Sequence, residues 1–89
     1  MKAIVTVVGQ DRVGIIADVC AQLASRQINI LDISQTVMQG YFTMMMAVET
    51  EACTLPFGEL AEALKRHGEE VNLSIRVQRV DIFEAMHRI

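Results

Sequence analysis

The sequence predicts a single α+β domain in which one antiparallel sheet carries two helices on one face. Three observations lead to this fold class. Four stretches have the composition of β-strands, two stretches have apolar residues at helical spacing, and they follow one another in the order β-α-β-β-α-β. The 89 residues of the chain suffice for one such sheet with its helices, and for little more.

The first strand and the first helix are predicted from residues 2–8 and 13–26. The strand is β-branched and apolar on both faces, which is typical of a central strand. The helix is amphipathic, and Asp11 stands where its N-cap is expected. We expect Cys20 to pack in the core, as free cysteines often do. The predicted core-facing residues of the helix are Val13, Ile16, Ala17, Cys20, Leu23 and Ala24.

A hairpin follows, formed by residues 27–37 and 41–50. The first of these strands mixes isoleucine and valine with polar residues, as edge strands do. The second is apolar on both faces, which again indicates a central strand. Gln39 and Gly40 between them predict a tight turn.

The second helix is predicted to open at Leu55-Pro56, with Thr54 as its N-cap, Pro56 in its first turn and Gly68 just past its last turn. Residues 71–78 then alternate strictly between apolar and polar side chains, which predicts a half-buried strand at a sheet edge. The buried stripe of this helix is expected to be Phe57, Leu60, Ala61 and Leu64.

Two right-handed split crossovers between these elements give the ferredoxin-like βαββαβ sandwich, a four-stranded antiparallel sheet with both helices on one face. Residues 81–89 predict a short C-terminal helix in addition, because Asp81 and Glu84 have capping-box spacing. That helix would cover the open sheet face of its own chain or of a partner. Its large apolar residues are Ile82, Phe83, Met86 and Ile89.

Composition limits the possible partners. The net charge of −3 argues against nucleic acid, and the apolar stretches are too short to span a membrane. The chain enters its first strand directly and its two cysteines have no metal or redox spacing, so we predict a protein of the cytoplasm. The apolar fraction of 52% is high for so short a chain and predicts a buried interface, most simply in a homodimer. Sheet-edge pairing, helix packing and face-to-face stacking are all compatible with the sequence.

The turn over residues 9–16 carries the clearest functional signal. A strand that turns directly into a helix leaves backbone N–H groups unpaired, and these donors suit an anion such as a carboxylate. Gly14 has no Cβ, so a ligand or a second backbone can approach it closely. The turn therefore predicts a small-molecule site, and the alternative is a plain connection capped by Asp11.

No enzyme, metal site or cofactor is predicted, because no nucleophile has a base nearby, no carboxylates are paired and no metal-ligand spacing occurs. The run of Met44, Met45 and Met46 alternates across a strand and predicts core and interface packing. His67 and His87 have no partner at ligand or triad spacing, so both are expected at the surface.

The βαββαβ order, the run Gly-x-Asp-Arg-x-Gly-Ile over residues 9–15 and the later Asn29-Ile30-x-Asp32 together resemble the ACT domain. Within that superfamily the chain is most similar to the short stand-alone ACT proteins of prokaryotes, which are related to glycine-cleavage regulators. Residues 1–80 would form the ACT domain and residues 81–89 an extension. The resemblance implies a homodimeric regulatory domain that binds a small-molecule effector, in most cases an amino acid, between two ACT domains and signals to a protein partner.

The resemblance also implies the site. Asn29 would meet the effector from the neighbouring subunit, with Asp32 and Gln35 as further candidates. In amino-acid-sensing relatives an asparagine often stands where Asp11 stands here, and an aspartate accepts a hydrogen bond from an ammonium group but repels a carboxylate. The alternative function is a protein–protein interaction module without a ligand. The effector-binding residues of the helix-start loop would be Asp11, Arg12, Val13, Gly14 and Ile15.

Overall fold

The computed structural model describes residues 1–81 and confirms the predicted ferredoxin-like sandwich. The predicted C-terminal helix over residues 81–89 lies, apart from Asp81, outside the described residues. The elements follow in the predicted order: β1 (Lys2–Gln10), α1 (Ile15–Ser25), β2 (Asn29–Met38), β3 (Tyr41–Glu49), α2 (Phe57–Glu70) and β4 (Ser74–Arg79).

The strands form one antiparallel sheet in the order β2-β3-β1-β4, so the two strands that are apolar on both faces are central, as predicted. One face of the sheet packs against α1 and α2, and the register aligns the inward side chains in rows. Val5, for example, lies between Met46 on β3 and Val77 on β4. The core between sheet and helices is made of Ala3, Val5, Val7, Ile15, Val19, Leu23, Ile28, Phe42, Met44, Met46, Val48, Leu60, Leu64, Leu73 and Ile75.

Two irregularities shape β2. Gln39 and Gly40 have φ angles of 51° and 81° and form the predicted tight turn into β3. A β-bulge interrupts the pairing with β3 between Ile30 and Asp32, so that Leu31 and Asp32 together oppose Ala47.

The first helix differs from the prediction in its start and in its buried face. It begins at Ile15, and its N-cap is Gly14 with φ 93°, so the prediction that Asp11 caps it is wrong. Gly14 adopts this left-handed conformation without strain because it has no Cβ, and the helix starts after it without a side-chain cap. Of the predicted core-facing residues only Leu23 is buried; Val13 is fully exposed and Ile16 is 40% exposed. The buried residues of α1 are Ile15, Val19 and Leu23.

The second helix also differs at both ends. Its N-cap is Pro56 rather than Thr54, and no side chain caps it. It continues through Gly68, so the prediction that Gly68 follows the last turn is wrong. Asn72, with φ 60°, is the residue that takes the left-handed conformation after the helix. Gly68 instead permits close packing, since a Cβ there would lie 2.6 Å from the backbone oxygen of Leu73.

The chain start is held by the end of β3. The amide and hydroxyl groups of Thr50 donate hydrogen bonds of 2.9 and 2.8 Å to the carbonyl oxygen of Met1. The N-terminal ammonium group donates to the Glu49 carboxylate. This hydrogen bond, helped by the ammonium charge, holds the pKa of Glu49 below its ordinary value of 4.5.

We expect Glu49→Gln to lower the free energy of unfolding at neutral pH and to change it little in acid. A carboxyl group whose folded pKa lies below its unfolded pKa stabilises the fold above the unfolded value. That contribution is lost as the pH falls through the folded pKa. Urea unfolding of both proteins from neutral to acid pH tests this, and a difference that does not depend on pH would contradict it.

Candidate functional site

Three connections meet at one end of the sheet and form what we call the loop corner: the β1–α1 loop, the β2–β3 turn and the α2–β4 connection. The Asp11 amide donates a hydrogen bond of 2.8 Å to the Gly40 carbonyl oxygen. The Arg12 guanidinium group donates to the Val71 carbonyl oxygen. These two contacts fix the β1–α1 loop against both neighbouring connections.

The structure brings the five loop residues of the predicted site together at this corner, but their exposure to solvent differs. Asp11, Arg12, Val13 and Gly14 are exposed. The Ile15 side chain is 3% exposed and belongs to the core, so only its backbone faces the corner. Arg12 is already bonded to Val71, which leaves the Asp11 carboxylate as the charged group of the loop without an ion-pair partner among residues 1–81.

The N-terminus of α1 opens into the same corner. Its first backbone hydrogen bond runs from Asp18 N–H to Gly14 C=O at 2.9 Å. The N–H groups of the three preceding residues, 15–17, therefore have no intrahelical acceptor, and no side chain of the described chain caps them. Nothing lies within 4 Å of the place where a Gly14 Cβ would be, so the space beside the residue that precedes these donors is open. Such an end of a helix favours an anionic group.

The predicted site residues on β2 lie elsewhere within one chain. Met38 pairs with Tyr41 at the loop corner, whereas Asn29 pairs with Glu49 at the opposite end of the sheet. Asp32 lies at the bulge, where its carboxylate accepts a hydrogen bond of 2.9 Å from the Ile33 amide. A single chain thus does not bring Asn29, Asp32 and Gln35 to the loop corner.

Sequence reasoning missed a polar contact between the helices. His67 Nε2 lies 2.7 Å from Asp18 Oδ2, and His67 is only 17% exposed, so the expectation of a surface histidine is wrong. Asp18 is in the first turn of α1 and His67 in the last turn of α2. An acidic residue suits the start of a helix and a basic residue suits its end. The positions of Asp18 and His67 in the two helices were therefore the signal in the sequence for this pair.

The pair also shows which flank of α1 faces α2. Ile16 lies about 200° around the helix from Asp18 and therefore on the other flank, toward the β2 side of the sheet. On β2, Ile33 and Val37 oppose the buried Met46 and Phe42, so their side chains lie on the helix-bearing face. Both are exposed. We call this exposed apolar surface beside the loop corner the β2–α1 strip; it consists of Val13, Ile16, Ile33 and Val37.

The two edges of the sheet differ in charge. β2 carries one charged residue, Asp32, in its ten positions, and its residues 33–38 are all uncharged. β4 carries two, Arg76 and Arg79, in six positions. Charged side chains protect an edge from pairing with another strand, so β2 is the less protected of the two edges.

A groove of about 480 Å³ lies away from this corner, between α2 and β4. Its walls include the solvated side chains of Lys65, Glu69 and Arg76. Among residues 1–81 no cluster of three metal-ligating side chains occurs, and neither helix is long and apolar enough to cross a membrane.

A family model for the ACT domain matches residues 2–78. The chain belongs to the ACT domain family. ACT domains are typically regulatory ligand-binding modules. The match spans every strand and helix described above except the last residue of β4, so the loop corner and the β2 edge are both part of the domain.

Similar proteins support the stand-alone type. A UPF0237 protein of Listeria innocua is 48% identical over 89 residues, which is all of both chains. An ACT domain protein from Streptococcus pneumoniae has the same fold with a TM-score of 0.84 and 45% identity, covering 98% of each chain. A glycine cleavage system repressor shares the fold at a TM-score of 0.73 and 23% identity, over 89% of this chain and 45% of that one.

Proposed function

We propose that this ACT domain is a cytoplasmic regulatory module, and not an enzyme, that binds a small-molecule effector at the loop corner as a homodimer and signals to a partner protein. The observation that carries the proposal is the uncapped N-terminus of α1, which opens beside the exposed carboxylate of Asp11. An α-amino acid is the effector class that fits best.

The charges of the corner match a zwitterion. The free N–H groups at residues 15–17 and the positive end of the α1 dipole attract a carboxylate. The Asp11 carboxylate attracts an ammonium group, and charge-assisted hydrogen bonds of this kind are the stronger ones. An effector bound this way would keep its carboxylate at the helix and its ammonium group at Asp11, which avoids the repulsion between Asp11 and the effector carboxylate.

The homodimer follows from the β2 edge. Antiparallel pairing of two β2 strands centred on Ser34, with Leu31 as the extra residue of the bulge in each copy, would place Asn29 of the partner subunit opposite Met38. Met38 pairs with Tyr41 next to the loop corner. The same pairing brings the two β2–α1 strips together and buries their apolar side chains. Two copies would thus assemble the loop residues and Asn29 into one site.

Thermal unfolding with each of the twenty amino acids at millimolar concentration tests the effector. A ligand at 100 times its Kd adds about 2.7 kcal/mol to stability, which raises the melting temperature clearly in a domain of this size. We expect Asp11→Asn to weaken binding of the active amino acid about tenfold or more, because the charged acceptor for its ammonium group is lost. Glu51→Gln, which removes a surface carboxylate in the β3–α2 loop, is the matched control.

Failure of every amino acid to shift the unfolding temperature would contradict amino-acid binding. It would favour the second candidate, an interaction module without a ligand. The contact that favours this candidate is the hydrogen bond from Arg12 to the Val71 carbonyl oxygen, since it occupies the guanidinium group that would otherwise meet an anionic effector.

A further inference from the structure

The face of the sheet turned away from the helices carries an apolar patch. Ile4 and Ala47 are paired neighbours on β1 and β3. On β2, Asp32 pairs with Ala47, and Leu31 is the extra residue of the bulge beside that pair; Met45 lies two residues before Ala47 on β3. Leu31 is 48% and Met45 is 37% exposed. We call these four residues, Ile4, Leu31, Met45 and Ala47, the open-face patch.

The chain leaves the sheet beside this patch. β4 ends at Arg79, and its residue Gln78 pairs with Ile4 of the patch. The other face of the sheet is covered by α1 and α2. Among residues 1–81, the open-face patch is therefore the apolar surface without a covering element that lies nearest to the point where residues 82–89 begin.

Residues 82–89 have the reach and the composition to cover the patch. Three strand spacings, from β4 to β2, amount to about 14 Å. Eight residues span about 12 Å as a helix and about 26 Å when extended. Half of the eight residues are large and apolar, and these are Ile82, Phe83, Met86 and Ile89.

We propose that residues 82–89 pack on the open-face patch of their own chain. The segment is tethered within reach of the patch, and such a tether gives an effective concentration in the millimolar range, which favours it over a second copy in dilute solution. Burial of its apolar side chains against the patch supplies the driving force. The segment then prevents two sheets from stacking face to face, and the β2 edge stays free for pairing.

The chain has no tryptophan, so Phe83→Trp introduces a single fluorescent reporter in this segment. In the full-length protein we expect a blue-shifted emission maximum and loss of quenching by iodide. Adding Met45→Asp or Leu31→Asp should shift the emission to the red and restore quenching, because each places a charge in the patch. Leu31 lies on the edge strand and is half exposed, so this second variant keeps its fold if Met45→Asp does not.

Ala21→Asp, on the exposed surface of α1, is the matched control and should leave the emission unchanged. Red emission in the Phe83→Trp parent would overturn the proposal, since the segment would then be solvated. Blue emission that both patch variants leave unchanged would also overturn it, because the segment would pack elsewhere. A blue shift that disappears on dilution would assign the patch to a second copy instead. Far-UV circular dichroism verifies the fold of every variant.

Discussion

Gly68→Ala is expected to destabilise the protein by about 2–3 kcal/mol, the upper part of the usual range for overpacking. The new Cβ would lie 2.6 Å from the backbone oxygen of Leu73 and 3.0 Å from the Ile75 side chain. The oxygen cannot move away easily, since the amide of the same residue, Leu73, donates a hydrogen bond of 2.7 Å to Gly68 C=O. The strain would separate α2 from the start of β4. Urea unfolding of the variant measures the loss.

Gly58→Ala in the same helix is the matched control. Nothing lies within 4 Å of a Cβ at Gly58, and its backbone is helical. Alanine there should stabilise the protein by about 0.4–1 kcal/mol, because it restricts the unfolded chain and is compatible with the helix. Equal effects at both positions would mean that the helix propensity of alanine decides the outcome and that Gly68 is not in close contact with Leu73.

The strands could be predicted from the sequence because their patterns report burial directly. β1 and β3 each lie between two other strands, and alternate residues of both are buried beneath the helices. β2 and β4 carry polar residues since each has one free edge. The turn at Gln39 and Gly40 needs positive φ angles, which few residues adopt, so it could also be predicted from the sequence.

The buried face of α1 could not be predicted, because the helix has two apolar stripes. One stripe contains Ile15, Val19 and Leu23 and faces the core. The other contains Ile16, is preceded by Val13 in the loop before the helix, and faces solvent. Periodicity gives the spacing of a stripe but not its direction. Which stripe faces the core depends on how Gly14 turns the chain into the helix, and that conformation is not encoded in the hydrophobic pattern.

The sequence marks the loop corner, whose role as a binding site stays a prediction, but it does not reveal the polar contacts there. The strand-to-helix turn and Gly14 mark the loop corner in the sequence. The bonds from Arg12 to Val71 and between Asp18 and His67 join residues 59 and 49 positions apart. Such pairs form only after the sandwich brings the start of α1 and the end of α2 to one end of the sheet, so the spacing of the residues does not indicate them.

The solvent-facing stripe of α1 leads to the second large effect. We expect Ile16→Asp to raise the dissociation constant of the proposed homodimer by roughly 100-fold or more, because a two-fold interface would bury the unpaired charge in both copies. Ile16 is 40% exposed in the single chain and lies outside the core, so the fold of the monomer should survive. Sedimentation equilibrium over a wide range of concentrations measures the dissociation constant.

Ala21→Asp places the same charge on the exposed surface of α1 outside the β2–α1 strip and should leave the dimer intact. Because the proposed site needs Asn29 of the partner subunit, Ile16→Asp should also lose the effector-dependent rise in unfolding temperature, although every residue of the β1–α1 loop at 11–14 is unchanged. A dimer that tolerates Ile16→Asp would exclude the β2–α1 strip as its interface. A wild-type chain that stays monomeric throughout would contradict the two-chain site itself, since one chain holds Asn29 and Gly14 at opposite ends of its sheet.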